Sequence, residues 1–259
     1  MAEPVAVRAG EPLEDMVGEG RRLVDAATRQ GITVRLLGGV GVYLQGGPTG
    51  PLLPRPVGDI DLAIKRGGRG ALTAMLTAGG YLPDEMYNAL QGARRLLFYG
   101  EANGRKLDIF IGEFSMCHVL QIADRLEHDP LTIPLAELLL TKLQIVQLTE
   151  RDQRDIYSLC FQHEVSKSGG SGIEGDYVAD ICAKDWGLWR TATATIARCK
   201  SNLADYALSP EQSAVITDRL DVLRGMIEQA PKSGKWRLRS RVGDRVRWYA
   251  EPEENTKSD

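Results

Sequence analysis

Three aspartates stand inside apolar segments of the chain, and they restrict its fold more than any other feature. The segment 59–62 reads Asp-Ile-Asp-Leu, and Asp108 lies in the segment 106–111, which reads Lys-Leu-Asp-Ile-Phe-Ile. Side chains alternate between the two faces of a strand, so Asp59 and Asp61 should project from one face while their aliphatic neighbours enter the core. An aspartate in a central strand is costly unless a partner offsets its charge. A shared Mg²⁺, which prefers oxygen ligands, would satisfy all three carboxylates.

The segments around these aspartates predict a sheet. A short β-branched and apolar strand over 33–37 runs into a glycine pair, Gly38-Gly39, which indicates a tight turn. The apolar runs 95–99 and 106–111 are separated by a linker that contains Asn-Gly. Because this dipeptide favours a hairpin turn, we expect the two runs to be antiparallel neighbours. Asp108 then lies inside the sheet.

These motifs, taken in order, resemble the nucleotidyltransferase superfamily with a DNA polymerase beta-like fold. Its signature is an apolar residue with a glycine pair, then an Asp-x-Asp strand, then a third carboxylate on a neighbouring strand; the matching elements are Leu37-Gly38-Gly39, Asp59-Ile60-Asp61-Leu62 and Asp108. Within the superfamily the chain looks most like bacterial AbiEii-type and related minimal or toxin-like nucleotidyltransferases. The features that suggest this are Arg55, Leu140-Thr141-Lys142-Leu143 and the segment 151–156.

The resemblance covers about residues 34–163 and leaves the C-terminal third unexplained. Two departures concern the phosphate pocket. The gap between Gly39 and Asp59 is longer than usual and holds a loop rich in glycine and proline, and position 57, often Thr or Ser in the family, is Val57. Neither departure removes a predicted metal ligand.

The resemblance implies Mg²⁺-dependent transfer of a nucleoside monophosphate from a nucleoside triphosphate, with ATP among the candidates. Asp59 and Asp61 would hold two Mg²⁺ ions about 4 Å apart. Asp108 would complete the metal site on the acceptor side and act as general base. Lys142 would neutralise triphosphate charge, oriented by Asp152 or Asp155. The predicted nucleotide contacts are Gly38, Gly39, Arg55, Lys142, Asp152 and Asp155.

From Pro134 onward the pattern changes to long helices. One over 176–206 precedes another over 210–229, and Ser209-Pro210-Glu211-Gln212 has the N-cap, first-turn proline and capping-box pattern of a helix start. The predicted fold class is α/β (α+β), a nucleotidyltransferase core with a mixed sheet and flanking helices. We expect a catalytic core over 1–118, a helical extension completing the nucleotide site over 119–165, a flexible linker over 166–175, a helical C-terminal domain over 176–230, and a basic hairpin with an acidic, disordered tail over 231–259.

The C-terminal segment 232–247 carries seven cations against Asp244 alone, in a chain of formal net charge −3. Its arginines alternate with apolar residues around a Gly-Asp turn, which predicts a hairpin with one arginine face and one apolar face. Such a face would either grip polynucleotide phosphates or lie solvated against the helical domain. The predicted nucleic-acid contacts are Arg237, Arg239, Arg241, Arg245 and Arg247.

The sequence gives little support for a cysteine or histidine metal site or for a membrane segment. The cysteines, Cys117, Cys160, Cys182 and Cys199, are scattered without a Cys-x-x-Cys pair, and the three histidines add no visible third or fourth ligand for a metal. No segment approaches the roughly 20 apolar residues that span a bilayer, and the first residues lack a signal-peptide pattern. We expect a cytoplasmic protein with no membrane partner.

The acceptor of the nucleotide stays open at this point. RNA, such as a tRNA end, a protein hydroxyl and a small molecule such as an aminoglycoside are all compatible with the predicted core. A rival interpretation is a non-catalytic nucleotide- or RNA-binding protein on the same fold. The resemblance to toxin-like proteins implies a cognate antitoxin as a candidate partner.

Overall fold

The structure, a computed structural model, describes residues 12–167 and 172–251 of the 259-residue chain. The chain divides into two compact units, each built from three segments. The sheet unit comprises the described residues up to Leu44, Pro56–Glu113 and Gln121–Ile133. The helical unit comprises Gln45–Arg55, Phe114–Leu120 and the described residues from Pro134 onward.

The first half of the chain contains both helices and strands, and helices dominate the second. In chain order the elements are α1 (Met16–Arg29), β1 (Val34–Leu37), α2 (Gly38–Gln45), β2 (Asp59–Ile64), α3 (Arg69–Ala78), β3 (Tyr81–Pro83), α4 (Glu85–Gln91), β4 (Arg95–Gly100), β5 (Lys106–Ile111), β6 (Glu113–Ser115), β7 (Val119–Gln121), α5 (Leu135–Leu143), α6 (Glu150–Gln162), β8 (Val165–Ser166), β9 (Ile173–Glu174), α7 (Gly175–Lys184), α8 (Trp186–Asn202), α9 (Pro210–Gln229) and α10 (Gly234–Val242).

The sheet unit contains a mixed five-stranded sheet in the order β1-β2-β5-β4-β3. Strands β2 and β5 are parallel, and every other neighbouring pair is antiparallel. The predicted mixed α/β fold class is therefore confirmed, as is the antiparallel pairing of β4 with β5. The parallel register places Asp61 opposite Asp108 and Asp59 opposite Lys106.

The two faces of this sheet have different chemistry because of strand alternation. One face carries the fully buried side chains Ile60, Leu62, Leu107 and Ile109 and packs against apolar residues of α1 and α3. The hydrophobic core of the sheet unit lies here. The charged residues of β2 and β5 alternate with these side chains, so they share the opposite face.

The helical unit holds helices α5 to α10, and α9 begins at the predicted residue. Its N-cap Ser209 and Gln212 form a capping box, as the sequence predicts. The helix predicted over 176–206 is instead two helices, because Asp185 adopts an extended conformation and its side chain caps α8 by accepting from the Leu188 N–H. Among the described residues, no helix combines the length and apolar character that crossing a bilayer requires.

The predicted linker 166–175 falls partly on described residues. Strands β8 and β9 pair in parallel across it, and α7 begins at Gly175. Residues 168–171 lie outside the described residues.

The basic hairpin predicted over 231–259 is wrong for the described residues, which form α10 and a short 3₁₀ turn. Ser233 caps α10 by accepting from the Trp236 N–H. Trp236 packs edge-on against Trp189, and the Arg239 guanidinium lies 4.6 Å from the ring centre of Trp186. These inward contacts recur three residues apart, which is the helical period. The predicted acidic tail from residue 252 lies outside the described residues.

Candidate active site

The three aspartates predicted as metal ligands lie together on the charged face of the sheet. Asp59 and Asp61 are two residues apart on β2, and Asp61 is the direct register partner of Asp108 on β5. Asp108 is 2% exposed, whereas the Asp59 side chain is 43% exposed. The cluster therefore runs from a partly solvated edge at Asp59 to a buried end at Asp108.

Gly38 closes the cluster on the side of β1. Leu37 pairs with Asp61 across the antiparallel β1–β2 ladder, and Gly38 follows with φ at +62°. A Cβ atom on Gly38 would lie 1.8 Å from Oδ2 of Asp61. Only glycine combines this backbone conformation with so close an approach. Gly38 also begins α2, whose first N–H groups lack helical partners and suit an anion.

Asp108 is paired with a cation that the sequence motifs do not include. Arg95, on β4, donates from Nε to Asp108 Oδ1 at 2.6 Å and from Nη2 to Oδ2. The guanidinium also lies 5.0 Å from the ring centre of Phe110. Such a bidentate pair is the strong form of a charge-assisted hydrogen bond. The expectation that a buried Asp108 has a partner is therefore met within the chain, whereas a metal ion at Asp108 stays a prediction.

The protonation of Arg95 is firmly held. Burial alone would lower the pKa of the Arg95 guanidinium, but the hydrogen bond and charge of Asp108 outweigh burial and raise that pKa. The charge of Asp61 acts in the same direction. Arg95 is thus a permanent cation at the buried end of the aspartate cluster.

Lys106 is the second cation on this face. Its Nζ lies 3.4 Å from Asp108 Oδ2 and 4.0 Å from Asp59 Oδ2. Strand periodicity could have revealed it, because Lys106 precedes Asp108 by two residues. Arg95 could have been suspected as the charged first residue of an otherwise apolar strand, but its pairing depends on register across β4 and β5, which composition does not specify.

The donor set fits a hard divalent cation in chemical type. The side chains are three carboxylates on one face of neighbouring strands, and carboxylate oxygens are what Mg²⁺ prefers. Within residues 12–167 and 172–251, no three Asp, Glu, His or Cys side chains already converge as metal ligands. The contacts of Arg95 and Lys106 occupy oxygens of Asp108, so cation binding there requires these contacts to be exchanged.

A second charged cluster lies in the helical unit and contains the other predicted nucleotide contacts. Arg55 donates to Asp155 from Nε at 2.8 Å and from Nη2 at 2.7 Å, and Lys142 Nζ lies 2.9 Å from Asp155 Oδ2. Burial raises the pKa of the Asp155 carboxyl, but Arg55 and Lys142 outweigh burial and lower that pKa. Burial likewise lowers the Lys142 pKa, while the charges of Asp155 and Asp152 more than reverse this effect.

Asp152 has a structural role at the start of a helix. The sequence alone does not distinguish this role from the predicted contact with a nucleotide. Its side chain accepts from Thr149 at the start of α6, where the two residues form a capping box. Asp152 also lies 3.8 Å from the Lys142 ammonium. The shorter contact makes Asp155 the main partner of Lys142.

The predicted nucleic-acid contacts divide into two groups. Arg239 donates to the backbone carbonyls of Gly243 and Val246, and Arg247 pairs with Glu251. The other three arginines are exposed, and among the described residues no acidic side chain lies within ion-pair distance of them: Arg237, Arg241 and Arg245. These three are the stronger candidates for an external anion.

Comparison with known proteins supplies no further guide to this chain. No protein-family model matches it, and no curated protein matches it either. The features of the chain that bear on function are therefore the two charged clusters and the sheet register that assembles the first of them.

Proposed function

We propose that this protein is a Mg²⁺-dependent nucleotidyltransferase, which moves a nucleoside monophosphate from a nucleoside triphosphate to an acceptor hydroxyl. The observation that carries the proposal is the parallel register that places Asp61 opposite Asp108, with Asp59 on the same face and Gly38 packed against Asp61. This arrangement combines oxygen ligands for Mg²⁺ with a helix start suited to phosphates.

In this proposal Asp59, Asp61 and Asp108 hold two magnesium ions. When bound, these ions stabilise charge on the triphosphate and activate the acceptor oxygen. The acceptor oxygen attacks the α-phosphorus, the bond from the α-phosphorus to the bridging oxygen breaks, and pyrophosphate leaves with the bonding electrons. Asp108 accepts the proton of the acceptor hydroxyl. The backbone N–H groups at Gly38 and Gly39 donate to phosphate oxygens.

Within the helical unit, we propose Lys142 as a contact for a nucleotide phosphate. The Lys142 ammonium has three N–H donors. It pairs with the Asp155 carboxylate, which also pairs with the Arg55 guanidinium. We assign Asp155 to positioning Lys142, and Asp152 to capping α6 with a weaker contact to Lys142.

The test is incubation of the protein with each labelled nucleoside triphosphate, Mg²⁺ and a cell extract. RNA, protein or a small molecule should become labelled, and the labelled class identifies the acceptor. The double variant Asp59→Asn with Asp61→Asn should abolish labelling while keeping the unfolding midpoint. The control is Asp25→Asn, at an exposed position of α1, which should label normally. Labelling that survives the double variant would exclude the aspartates as the catalytic site.

One observation favours a second candidate, a non-catalytic nucleotide- or RNA-binding protein. Arg95 and Lys106 already offset the charge of the aspartates within the chain, so the cluster is stable without a catalytic metal. Binding of nucleotide without any labelled product, across all four triphosphates and the extract, would favour this candidate.

A further inference from the structure

The positive and negative side chains on the charged face of the sheet nearly cancel in net charge. Three carboxylates, Asp59, Asp61 and Asp108, face two cations, Arg95 and Lys106, which leaves one net negative charge. The side chains of Arg95 and Asp108 are 12% and 2% exposed, less than those of Lys106 at 24% and Asp59 at 43%. An ion arriving at Asp108 therefore meets a carboxylate whose two oxygens already accept from one guanidinium.

We propose that Arg95 is an exchangeable positioning residue, which holds Asp108 in the unliganded protein and transfers to the phosphates of a bound nucleotide, so that metal and nucleotide bind cooperatively. This inference rests on the proposed function, because it takes the aspartates as metal ligands. It extends that function by assigning a role to a residue outside the aspartate and glycine motifs.

Releasing Arg95 from Asp108 has an energetic cost. A divalent cation that binds Asp108 competes with the guanidinium for the carboxylate oxygens and displaces it. Arginine does not lose its proton in proteins, so the displaced group stays charged. A largely buried charge that loses its bidentate partner is strongly unfavourable. Metal alone should therefore bind weakly.

A bound triphosphate removes the cost of releasing Arg95 from Asp108. The guanidinium fork matches phosphate oxygens in the same bidentate manner as it matches a carboxylate. Once phosphates are present, Arg95 can exchange one anion for another instead of losing its partner. Each ligand then increases affinity for the other by the same factor, as linkage requires.

Lys106 should make a smaller contribution to this coupling. Its side chain is 24% exposed and contacts Asp108 and Asp59 at 3.4 and 4.0 Å, longer than the Arg95 contacts. An ammonium that reaches solvent can be displaced toward water at little cost. The structure thus ranks Arg95 above Lys106 as the competitor for the metal.

The experiment is a Mn²⁺ titration by calorimetry, with and without an ATP analogue whose α,β-bridge cannot be cleaved. In the wild type, the analogue should lower the Mn²⁺ dissociation constant by about ten-fold, within the usual range of coupling. In Arg95→Met, Mn²⁺ should bind about ten-fold more tightly than in the wild type without analogue, and the analogue should add little. Arg95→Lys should restore part of the coupling.

Folding of Arg95→Met needs its own measurement because Asp108 loses its bidentate partner and keeps Lys106 at 3.4 Å. Its unfolding midpoint should fall in chelator and recover with Mn²⁺, more than the wild-type midpoint rises. Lys106→Met is the milder second variant and should show the same trend to a smaller degree. Equal Mn²⁺ affinity in the wild type and both variants, with no effect of the analogue, would overturn the inference.

The outcomes separate this inference from the proposed function. Coupling without any labelled acceptor would leave the role of Arg95 standing and remove the transferase proposal. Labelling of an acceptor, with no effect of the analogue on Mn²⁺ affinity, would support the transferase proposal and remove the role of Arg95.

Discussion

At the scale of single residues, Gly38 connects the backbone of β1 to the aspartate cluster. Its φ of +62° and the 1.8 Å approach of its absent Cβ to Asp61 Oδ2 are separate demands on the same position. Gly31 meets only the first demand, with φ at +71° and no atom within 4 Å of the point where a Cβ would lie. The two glycines therefore form a natural pair for comparison.

We expect Gly38→Ala to destabilise the protein by about 1–3 kcal/mol more than Gly31→Ala, because only the first change forces Asp61 to move. Both changes carry the penalty of a left-handed conformation, about 1–2 kcal/mol. Urea unfolding of both variants measures the difference. Equal losses would show that Asp61 does not limit the space at Gly38.

The Asp155 cluster predicts a pH dependence with a definite sign. The folded pKa of Asp155 lies below its ordinary value, so the unfolded chain binds this proton first as the pH falls. The stabilisation by Asp155 is complete above the ordinary carboxyl pKa and is lost as the pH falls through the folded pKa. The raised pKa of Lys142 acts at the opposite end, where its contribution is lost as the pH rises through that pKa.

Asp155→Asn should cost about 3–5 kcal/mol at neutral pH, because it leaves Lys142 and Arg55 largely buried without their main partner. It should also flatten the fall in stability at acid pH, as urea unfolding between neutral and acid pH will show. The control Asp180→Asn removes the exposed pair with Lys184 and should change stability by no more than about 0.5 kcal/mol. Similar costs for both variants would contradict the buried character of the cluster.

Much of the aspartate cluster could be predicted, because alternation within one strand is visible in the sequence. The period of two correctly places Asp59 and Asp61 on one face, away from Ile60. The partner of Asp108 could not be predicted in the same way. Arg95 lies 13 residues away on another strand, and its contact depends on the register of that pairing.

At the scale of elements, α10 presents exposed arginines one helical turn apart. Arg237 and Arg241 lie on the same side of the helix, and Arg245 follows in the 3₁₀ turn. Arg239 instead stacks on Trp186 and holds backbone carbonyls. Two arginines of α10 therefore face outward, whereas Arg239 contacts the rest of the helical unit.

Replacing Arg237, Arg241 and Arg245 with Gln should weaken binding of single-stranded RNA and reduce the slope of log affinity against log salt by roughly 0.7 for each phosphate that the variant fails to neutralise. Fluorescence anisotropy at several salt concentrations measures both quantities. Arg21→Gln with Arg29→Gln, at exposed positions of α1, is the control and should leave the slope unchanged. RNA binding that the triple variant leaves intact would remove α10 as its site.

The error at α10 has a physical cause. Alternation of arginine with apolar residues matches a strand, but tertiary contacts of Trp236 and Arg239 with α8 recur at helical spacing and determine the conformation. The start of α9 was predictable because its signal is local, from Ser209 to Gln212. Local capping signals can be recognised in sequence, whereas packing against a distant helix cannot.

At the scale of the whole molecule, the two units are interleaved along the chain. The segment 121–133 belongs to the sheet unit, where Leu36 donates to the Leu131 carbonyl and accepts from the Ile133 N–H, both at 2.9 Å. The predicted end of the core at residue 118 therefore precedes a segment that completes the edge of β1.

A fragment of residues 1–118 should lack a cooperative unfolding transition, because the backbone groups of Leu36 lose their partners and the core loses part of its cover. Circular dichroism during thermal unfolding, compared with a fragment of residues 1–133, tests this. A sharp transition in the shorter fragment would show that the segment is dispensable.

The interleaving also sets an order for synthesis. The ribosome releases Arg55 a hundred residues before Asp155, to which its guanidinium is bound in the finished protein. The sheet unit likewise waits for Ile133, in a chain of 259 residues. Domains generally fold as units during translation. The helical unit cannot be completed until the whole sheet unit has emerged, and the sheet unit cannot be completed until residues 45–55 and 114–120 of the helical unit have emerged, so the nascent chain must carry unfinished parts of both at once.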